Sequence, residues 1–330
     1  MPDALFQYPG GKGRHAERIL NNMPTHDCYV EAMCGSADLL LNKPRSEVEI
    51  INDLDSDIMT FFGVYQHAPE ELKEYVKDIP YSRKTYLSLV TDFYSDNPPG
   101  ESFDEYPVTG EDVTSDHVIR AGVFYFLRYT QWGAKYSGKS GFGASKVQDQ
   151  AGTWTNAIEN LTDFIDRLQD VTIECKPYHE VSEIYDGEDT FHYFDPPYIG
   201  TEQYYRESDF DHQEFVKFLH ELDGYWMVSY DSLPHGLDEF YVSVEDATAF
   251  IDSGYKGEGS DMEEYLVTNY EPSAVPAFVT GTQTSFGSLE TEQQTADTGA
   301  VADGGGETFS FDDLQEEDEN GDGFLSEYDV

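Results

Sequence analysis

Basic residues are scarce in this sequence. Its 330 residues include 19 Lys and Arg against 66 Asp and Glu, so the formal net charge is −47. Aromatic residues are nevertheless plentiful, with 24 Tyr and 21 Phe, which excludes the aromatic-poor composition of a disordered acidic chain. A folded protein with this charge fits a cytoplasm of very high salt, where the Debye length is roughly 3 Å at 1 M and self-repulsion is screened. We therefore expect a halophilic protein.

Cysteines and long apolar runs are scarce as well. Cys28, Cys34 and Cys175 are odd in number and widely spaced, and no two of them have metal-ligand spacing. Reduced thiols in a cytoplasmic protein are therefore expected, and no metal site is predicted. No apolar run approaches the 18 residues of a membrane-spanning helix, and the N-terminus has no apolar signal region. We expect a soluble, cytoplasmic protein without a membrane segment.

The stretch from Thr190 to Tyr198 is the most informative part of the chain. Its aromatic first half predicts a buried strand, which is followed by Asp195, Pro196, Pro197 and Tyr198. Open α/β sheets bind their ligands at the carboxyl ends of strands, so these four residues predict a site. A strand that simply ends in a Pro-Pro turn, with an N-cap-like aspartate, is the alternative for these four residues taken alone.

The chemistry that suits these residues is methylation of an exocyclic amine on a nucleobase. The lone pair of adenine N6 is delocalised into the ring, so acceptors that hold both of its hydrogens favour a pyramidal, more nucleophilic nitrogen. Asp195 and the carbonyl of Pro196 could be those acceptors, because prolines fix φ and donate no competing hydrogen bond. Tyr198 could stack on a base that is flipped out of the duplex.

Earlier segments predict a nucleotide-type site. Residues 28–37 indicate a strand and then a small-residue turn at Gly35, followed by a helix to residue 42. A second strand, residues 48–53, ends at Asp53, where an acid accepts ribose hydroxyls in dinucleotide-type folds; a solvated aspartate is the alternative. Residues 8–14 contain a glycine pair, which lets the backbone approach a ligand, and Lys12, which could bind a carboxylate or phosphate. The alternative is that this segment is an ordinary loop that leads into a helix.

Residues 117–148 contain no Asp or Glu, although one residue in five of the chain is acidic (66 of 330). Their first half, to about residue 132, fits an apolar core helix. The second half, residues 133–143, is too rich in Gly and Ser for a core, and its Lys and aromatic residues predict a flexible loop that holds nucleic acid. The candidate DNA-contacting residues are Arg128, Tyr129, Trp132, Lys135, Tyr136 and Lys139.

The C-terminal segment has a different composition. No basic residue follows Lys256, and residues 273–330 contain 14 acids with many Gly, Thr and Gln, so we expect this tail to be mostly disordered. Residues 318–329 match a calcium-binding loop at positions 1, 3, 5, 6 and 8, but position 12 is Asp and a second loop is missing. A solvated acidic tail is favoured over weak calcium binding.

The order of these elements predicts an α/β protein with a doubly wound, Rossmann-like sheet, because strands and helices alternate on both sides of a helical segment. Residues 1–55 and 171–272 are assigned to a catalytic domain that binds the cofactor. Residues 56–170 are assigned to an inserted helical lobe that recognises the target. Residues 273–330 are assigned to the tail.

Taken together, these motifs resemble those of the Dam-type (D12 class) adenine-N6 DNA methyltransferases, over about residues 5–272. The opening glycine-glycine-lysine motif of that family matches Tyr8 to Lys12, its first-strand motif matches Glu31 to Ala37, and its second-strand acid matches Asp53. Its Asp-Pro-Pro-Tyr motif matches Asp195 to Tyr198 without change. The chain would be a halophilic version, from a haloarchaeon or a virus of such a host.

There are departures from the family pattern. Ala32 and Met33 replace a proline and a phenylalanine, and Ala37 replaces the second glycine of the turn. The opening aromatic is Tyr8 where tryptophan is common. The recognition loop aligns poorly, so the resemblance transfers no base contact and no target sequence.

The resemblance implies transfer of the methyl group of S-adenosylmethionine to a flipped-out adenine N6 in double-stranded DNA, without a membrane partner. Cytosine-N4 methylation is the alternative enzyme, and a non-catalytic, acidic protein that binds nucleic acid or calcium is the alternative outside enzymes. The implied catalytic residues are Asp195, Pro196, Pro197 and Tyr198. The implied cofactor-binding residues are Tyr8, Lys12, Glu31, Gly35, Asp53 and Asp195.

Overall fold

The computed structural model describes residues 4–8, 10–131, 141–144, 149–200, 210–248 and 261–278. All of them lie within one compact unit, Met1–Thr282. Among the described residues, no helix is both long and apolar enough to cross a membrane. The strands are β1 (Cys28–Glu31), β2 (Val48–Asn52), β3 (Thr172–Glu174), β4 (Thr190–Phe194), β5 (Tyr225–Tyr230), β6 (Tyr241–Thr248) and β7 (Asp261–Thr268).

The seven strands form one sheet in the order β3-β2-β1-β4-β5-β7-β6. Strands β1 to β5 are parallel, whereas β7 is antiparallel to both β5 and β6. The chain winds outward from β1 to β3, returns to β4 beside β1, and then winds the other way. This doubly wound, Rossmann-like topology confirms the predicted fold class. Its switch point lies between β1 and β4, where Glu31 is paired with Tyr193.

Helices cover both faces of the sheet and fill the long connection between β2 and β3. The helices are α1 (Ala16–Asn22), α2 (Asp38–Asn42), α3 (Ser56–His67), α4 (Pro69–Lys77), α5 (Arg83–Phe93), α6 (Ser115–Thr130), α7 (Gln150–Glu159), α8 (Ile165–Leu168), α9 (Tyr178–Tyr185) and α10 (His212–Leu219). Side-chain caps begin several of them: Asp55 caps α3, Ser82 caps α5, and Thr114 forms a capping box at α6.

The helical insertion shares its hydrophobic core with the sheet. The ring of Phe6 lies 5.1 Å from that of Phe61 on α3 and 5.3 Å from that of Phe124 on α6, so the N-terminal segment packs inside the insertion. A buried ion pair joins the same two helices, because Arg120 Nε lies 2.6 Å from Asp57 Oδ1. The described helices between β2 and β3 therefore share a continuous core with the sheet, and the division of the chain into a catalytic domain and a recognition lobe stays a prediction.

A turn separates α7 from α8, in which Asp163 N donates to Asn160 O at 3.0 Å. The predicted tail begins later than residue 273, because Phe278 N donates to Met23 O at 2.9 Å and Thr25 N donates to Pro276 O at 2.8 Å. The predicted calcium loop, residues 318–329, lies outside the described residues.

Candidate active site

A cavity of about 340 Å³ opens at the switch point of the sheet. Its size is that of a small-molecule site, and its position is the one that doubly wound sheets use for ligands. The structure brings all of the predicted cofactor-binding residues to its wall, although they span more than half of the chain. These residues are Tyr8, Lys12, Glu31, Gly35, Asp53 and Asp195.

The turn after β1 requires glycine at residue 35. Gly35 has a φ of +48°, and a Cβ atom on it would lie 2.7 Å from Cδ1 of Tyr8, so the tyrosine ring occupies the space that a side chain would need. Gly35 N donates to Asp53 Oδ2 at 3.0 Å, which joins the turn to the end of β2. Ala37 also has a left-handed φ, of 53°, at the position where the family motif has its second glycine. The departure in sequence therefore keeps a glycine-like backbone.

Two carboxylates flank this turn on the floor of the cavity. Glu31 is buried and accepts hydrogen bonds from Tyr29 OH at 2.8 Å and Leu40 N at 3.0 Å. Burial raises the pKa of Glu31 to about 8. Asp38 accepts from Gly13 N at 3.2 Å through Oδ2, and its buried Oδ1 has no hydrogen-bond partner among the described residues. Asp38 was not predicted as a site residue, because nothing in its local sequence distinguishes it from a helix N-terminal acid.

The end of β2 contributes a second acidic edge. Asp53 accepts from Asp55 N at 3.0 Å as well as from Gly35, and burial raises the pKa of its carboxyl group. Asp55 and Leu54 also line the cavity, and Leu54 is half exposed, at 50%. The wall at this point thus combines hydrogen-bond acceptors with an exposed apolar side chain.

Asp195 lies at the carboxyl end of β4 and is paired with Lys12. Lys12 Nζ is 2.7 Å from Asp195 Oδ1 and donates to Gly10 O at 3.0 Å. Burial raises the pKa of Asp195 to about 6, and the charge of Lys12 opposes that increase. The lysine of the opening motif and the aspartate of the fourth strand, 183 positions apart (195 − 12), therefore form one charged centre.

Tyr198 is held by a residue that the sequence did not indicate. Its hydroxyl lies 2.9 Å and 3.1 Å from the two carboxylate oxygens of Glu264 on β7, to which it donates. Lys12 Nζ lies 3.9 Å from Glu264 Oε1 and 5.0 Å from the centre of the Tyr198 ring. Glu264 was missed because its strand joins the sheet through antiparallel pairing with β5, which local sequence does not predict.

The four predicted catalytic residues divide between two environments. Asp195 and Pro197 line the cavity, whereas Pro196 is buried and Tyr198 is half-buried beside Tyr230, with ring centres 6.1 Å apart. The cavity lining also includes residues that the sequence analysis did not select. They are Lys176, Pro177, Tyr178, His179, Phe210, Asp211 and Glu214.

The predicted DNA-contacting residues are only partly described. Trp132, Lys135, Tyr136 and Lys139 lie outside the described residues. Arg128 is fully buried, and its Nη2 donates to Gln131 Oε1 at 2.6 Å and to Tyr94 OH at 3.0 Å, so its guanidinium faces the interior rather than a DNA surface. Tyr129 is half-buried and donates to Leu5 O at 3.1 Å. In this structure both residues anchor α6, which argues against direct phosphate contact by Arg128.

The donor set of the cavity suits an organic cation that also carries a carboxylate. Seven carboxylates line it, from Glu31, Asp38, Asp53, Asp55, Asp195, Asp211 and Glu214, against the amines of Lys12 and Lys176. The buried, unpaired oxygen of Asp38 offers an acceptor for a ligand donor. Within the described ranges, no group of three or more His, Cys, Asp or Glu side chains is arranged to hold a metal ion.

Comparison with known proteins identifies a family and a curated relative. A family model described as D12 class N6 adenine-specific DNA methyltransferase matches residues 8–269. A curated relative, the Type II methyltransferase M.MjaIII of Methanocaldococcus jannaschii, is 26% identical over 250 residues, which cover 66% of this chain and 80% of the relative. The family match includes the opening motif, the turn after β1, Asp195 and Glu264, and thus spans the whole cavity.

Proposed function

The chain belongs to the D12 class N6 adenine-specific DNA methyltransferases, and we propose that it uses S-adenosylmethionine as the methyl donor, bound in the cavity at the switch point. The observation that carries the proposal is the convergence of Tyr8, Lys12, Gly35, Asp53 and Asp195 on one cavity. Family membership supports an enzyme that methylates adenine N6 in DNA over the non-catalytic alternative.

The cofactor assignment follows from charge. S-adenosylmethionine carries a sulfonium, an ammonium, a carboxylate and a ribose, and supplies an electrophilic methyl group when it is bound. Asp38 and Asp195 offer negative charge for two cationic groups, and a bound cation would favour the ionised form of Glu31 by lowering its raised pKa. Asp53 offers acceptors for ribose hydroxyls. Lys12 or Lys176 could meet the carboxylate. The Tyr8 ring, packed on Gly35, forms an apolar wall beside them.

Asp195 and the carbonyl of Pro196 are proposed to hold the amine of the target base. Both acceptors would act on the hydrogens of adenine N6, so that the nitrogen lone pair is directed at the methyl group in a direct displacement. No covalent enzyme intermediate is needed for such a displacement. Cys34 is buried, and burial raises the pKa of its thiol well above the usual value, so it is an apolar filler of the turn rather than a nucleophile.

Tyr198 is proposed to stack on the flipped base. Its hydroxyl donates to Glu264, and Lys12 Nζ lies 5.0 Å from the centre of its ring. These two contacts hold the ring in place before DNA binds. Glu264 would then be a positioning residue, since it acts through Tyr198. Recognition of duplex DNA is assigned to the insertion, with the loop of about residues 129–143 as the sequence-based candidate.

The test is transfer of labelled methyl groups from S-adenosylmethionine to unmethylated duplex DNA, followed by digestion and identification of the labelled nucleoside. N6-methyladenine is expected. Label on cytosine N4 would support the alternative enzyme.

Because Asp195 stabilises charge at the reacting amine, Asp195→Asn should lower turnover by a factor of order 10³ while duplex binding persists. Asp223→Asn, an exposed aspartate before β5, is the matched control and should be near normal. Near-normal turnover of the Asp195 variant would overturn the assigned mechanism.

A further inference from the structure

Acidic residues are absent from two stretches of this acidic chain. Residues 79–91 and residues 117–148 contain no Asp or Glu. The structure brings the two stretches together: the ring of Phe142 lies 5.1 Å from that of Tyr81 and 5.5 Å from that of Tyr86. Tyr81 OH also donates to Gly143 O at 2.5 Å. One continuous region without negative side chains therefore runs from the start of α5 to residues 142–143.

Helix α5 exposes one face of this region to solvent. Tyr86, Val90 and Phe93 are buried against the rest of the insertion. The opposite side carries residues at helical spacing, including Leu87, a large apolar side chain that is 54% exposed. We call this side the outer face of α5; its exposed residues are Arg83, Lys84, Leu87, Ser88 and Thr91, and the exposed acid of the helix, Asp92, lies in its last turn at the edge of this face.

The neighbouring helix shows that this composition is unusual within the same insertion. The exposed side of α4 consists of Glu70, Glu71, Glu74 and Lys77, and Lys77 is ion-paired with Glu74. In the described part of the chain, neither Arg83 nor Lys84 forms an ion pair. The charges on the outer face of α5 are therefore available to a partner, whereas the lysine of α4 is neutralised.

The outer face of α5 continues into the segment that was predicted to recognise DNA. Gln131 and Phe142 form an antiparallel bridge, and Gly143 N donates to Thr130 O at 2.7 Å. The described flanks of residues 132–140 are thus joined to each other beside α5. The guanidinium of Arg83 lies 5.2 Å from the centre of the Phe142 ring, which connects the face directly to one flank.

We propose that the outer face of α5 binds the phosphate backbone of the DNA substrate; this inference rests on the proposed function. A chain of net charge −47 repels a polyanion, so close approach is favoured where acids are absent and cations are unpaired. Arg, Lys and hydroxyl side chains are the usual phosphate contacts, and Arg83, Lys84 and Ser88 supply all three types. Leu87 can pack against the sugars between phosphates.

The test compares the full-length protein with the double variant Arg83→Ala/Lys84→Ala and with Lys77→Ala. Binding to duplex DNA is measured by fluorescence anisotropy over a range of KCl concentrations, together with kcat and KM for DNA and with binding of S-adenosylmethionine. The double variant should bind DNA about 10-fold or more weakly, and the slope of log Kd against log salt should fall by about 2, because each phosphate contact contributes roughly 0.9. Its affinity for S-adenosylmethionine and its kcat should be unchanged. Lys77→Ala should resemble the wild type.

The single variant Lys84→Ala distinguishes the outer face of α5 from the loop flank, because among the described residues the cation over the Phe142 ring is Arg83. A weaker affinity and a smaller salt slope for this single variant support the proposal. The proposal is overturned if only Arg83→Ala weakens DNA binding. It is also overturned if the wild type methylates DNA and the double variant binds DNA as tightly as the wild type does. Either result leaves the proposed function intact. If the wild type neither binds nor methylates DNA but binds an acidic protein through this face, both proposals fail.

Discussion

At the scale of single residues, the protonation of Asp195 is controlled by two opposed influences. Burial raises its pKa to about 6, and Lys12, 2.7 Å away, lowers it. The ionised carboxylate accepts the hydrogen of the target amine more strongly than the neutral acid does, and its charge stabilises the positive charge that develops on the nitrogen. Activity should therefore be present above about pH 6 and decline as the pH falls through that value.

Removal of Lys12 tests this interpretation. In Lys12→Met the opposing positive charge is lost, so the pKa of Asp195 should rise further and the acid limb of the profile of kcat/KM against pH should move to higher pH. Lys77→Met, which changes an exposed lysine on α4, is the control and should leave the limb in place. An acid limb that stays in place, or that moves to lower pH, in the Lys12 variant would contradict the assignment of this limb to Asp195.

Glu264 gives a second prediction at this scale. Because it accepts from Tyr198 OH and acts through that ring, Glu264→Leu and Tyr198→Phe should each reduce kcat, by about 10-fold, a loss of roughly 1.4 kcal/mol of transition-state stabilisation. The double variant should lose little more than either single variant, since both changes remove the same hydrogen bond. Additive losses would show that Glu264 acts independently of Tyr198. Binding of duplex DNA serves as the control for folding.

At the scale of elements, close packing between α4 and α6 depends on one glycine. A Cβ atom on Gly122 would lie 2.3 Å from Cδ1 of Tyr75, so alanine there forces the two helices apart or displaces the ring. Gly122→Ala should lower the free energy of unfolding by about 1–3 kcal/mol, measured by urea denaturation. Gly110→Ala, at a position with no atom within 4 Å, is the control and should change it by less than about 0.5–1 kcal/mol. Equal effects would contradict the packing explanation.

The helices and strands also show which structural features the local sequence predicts. The run from Thr190 to Phe194 forms a strand whose residues are all buried, as its aromatic pattern predicts. Pro69 separates α3 from α4 because it takes the first position of the second helix. The short helix α9 was not predicted, since its eight residues carry too few turns of periodicity to stand out. The insertion of β7 between β5 and β6 was not predicted either, because strand pairing joins residues far apart in sequence.

At the scale of the whole molecule, the fold includes part of the predicted tail. Phe278 stacks on His26 with ring centres 4.3 Å apart, and Pro276 O accepts from the backbone and hydroxyl of Thr25. A chain that ends after Phe278 should keep the melting temperature and the activity of the full chain. A chain that ends after Glu271 loses these contacts, and its melting temperature should fall by roughly 2–4 °C for each kcal/mol lost. Differential scanning calorimetry distinguishes the two; equal melting temperatures would show that residues 272–278 contribute nothing.

The net charge of −47 also belongs to this scale. That this charge reflects adaptation to high salt stays a prediction. Repulsion between like charges opposes a compact state in any fold. If it is correct, the midpoint of thermal unfolding should rise as KCl increases from about 0.1 M to about 2 M, because screening shortens the Debye length. A midpoint that is independent of KCl over this range would contradict it.

The sequence by itself determined which residues are candidates for the centre, and their chemistry is the proposal made above. Gly35, Asp53 and the run Asp195 to Tyr198 are short, contiguous signals whose residue types are dictated by backbone geometry or by the reacting group, so they could be recognised without a structure. The doubly wound sheet followed from the alternation of elements along the chain. These features depend on local order, which is what a sequence records directly.

Only the tertiary structure decided which distant groups complete the site. Glu264 reaches Tyr198 through antiparallel pairing of β7, and Asp38 becomes a buried acceptor because α2 begins against the turn of Lys12 to Arg14. Arg128 turned inward because its helix packs with that face against α5 and its neighbours, although its sequence context fits a surface cation equally well. Burial and pairing depend on contacts between segments far apart in the chain, and the free energy of those contacts is set by the assembled fold.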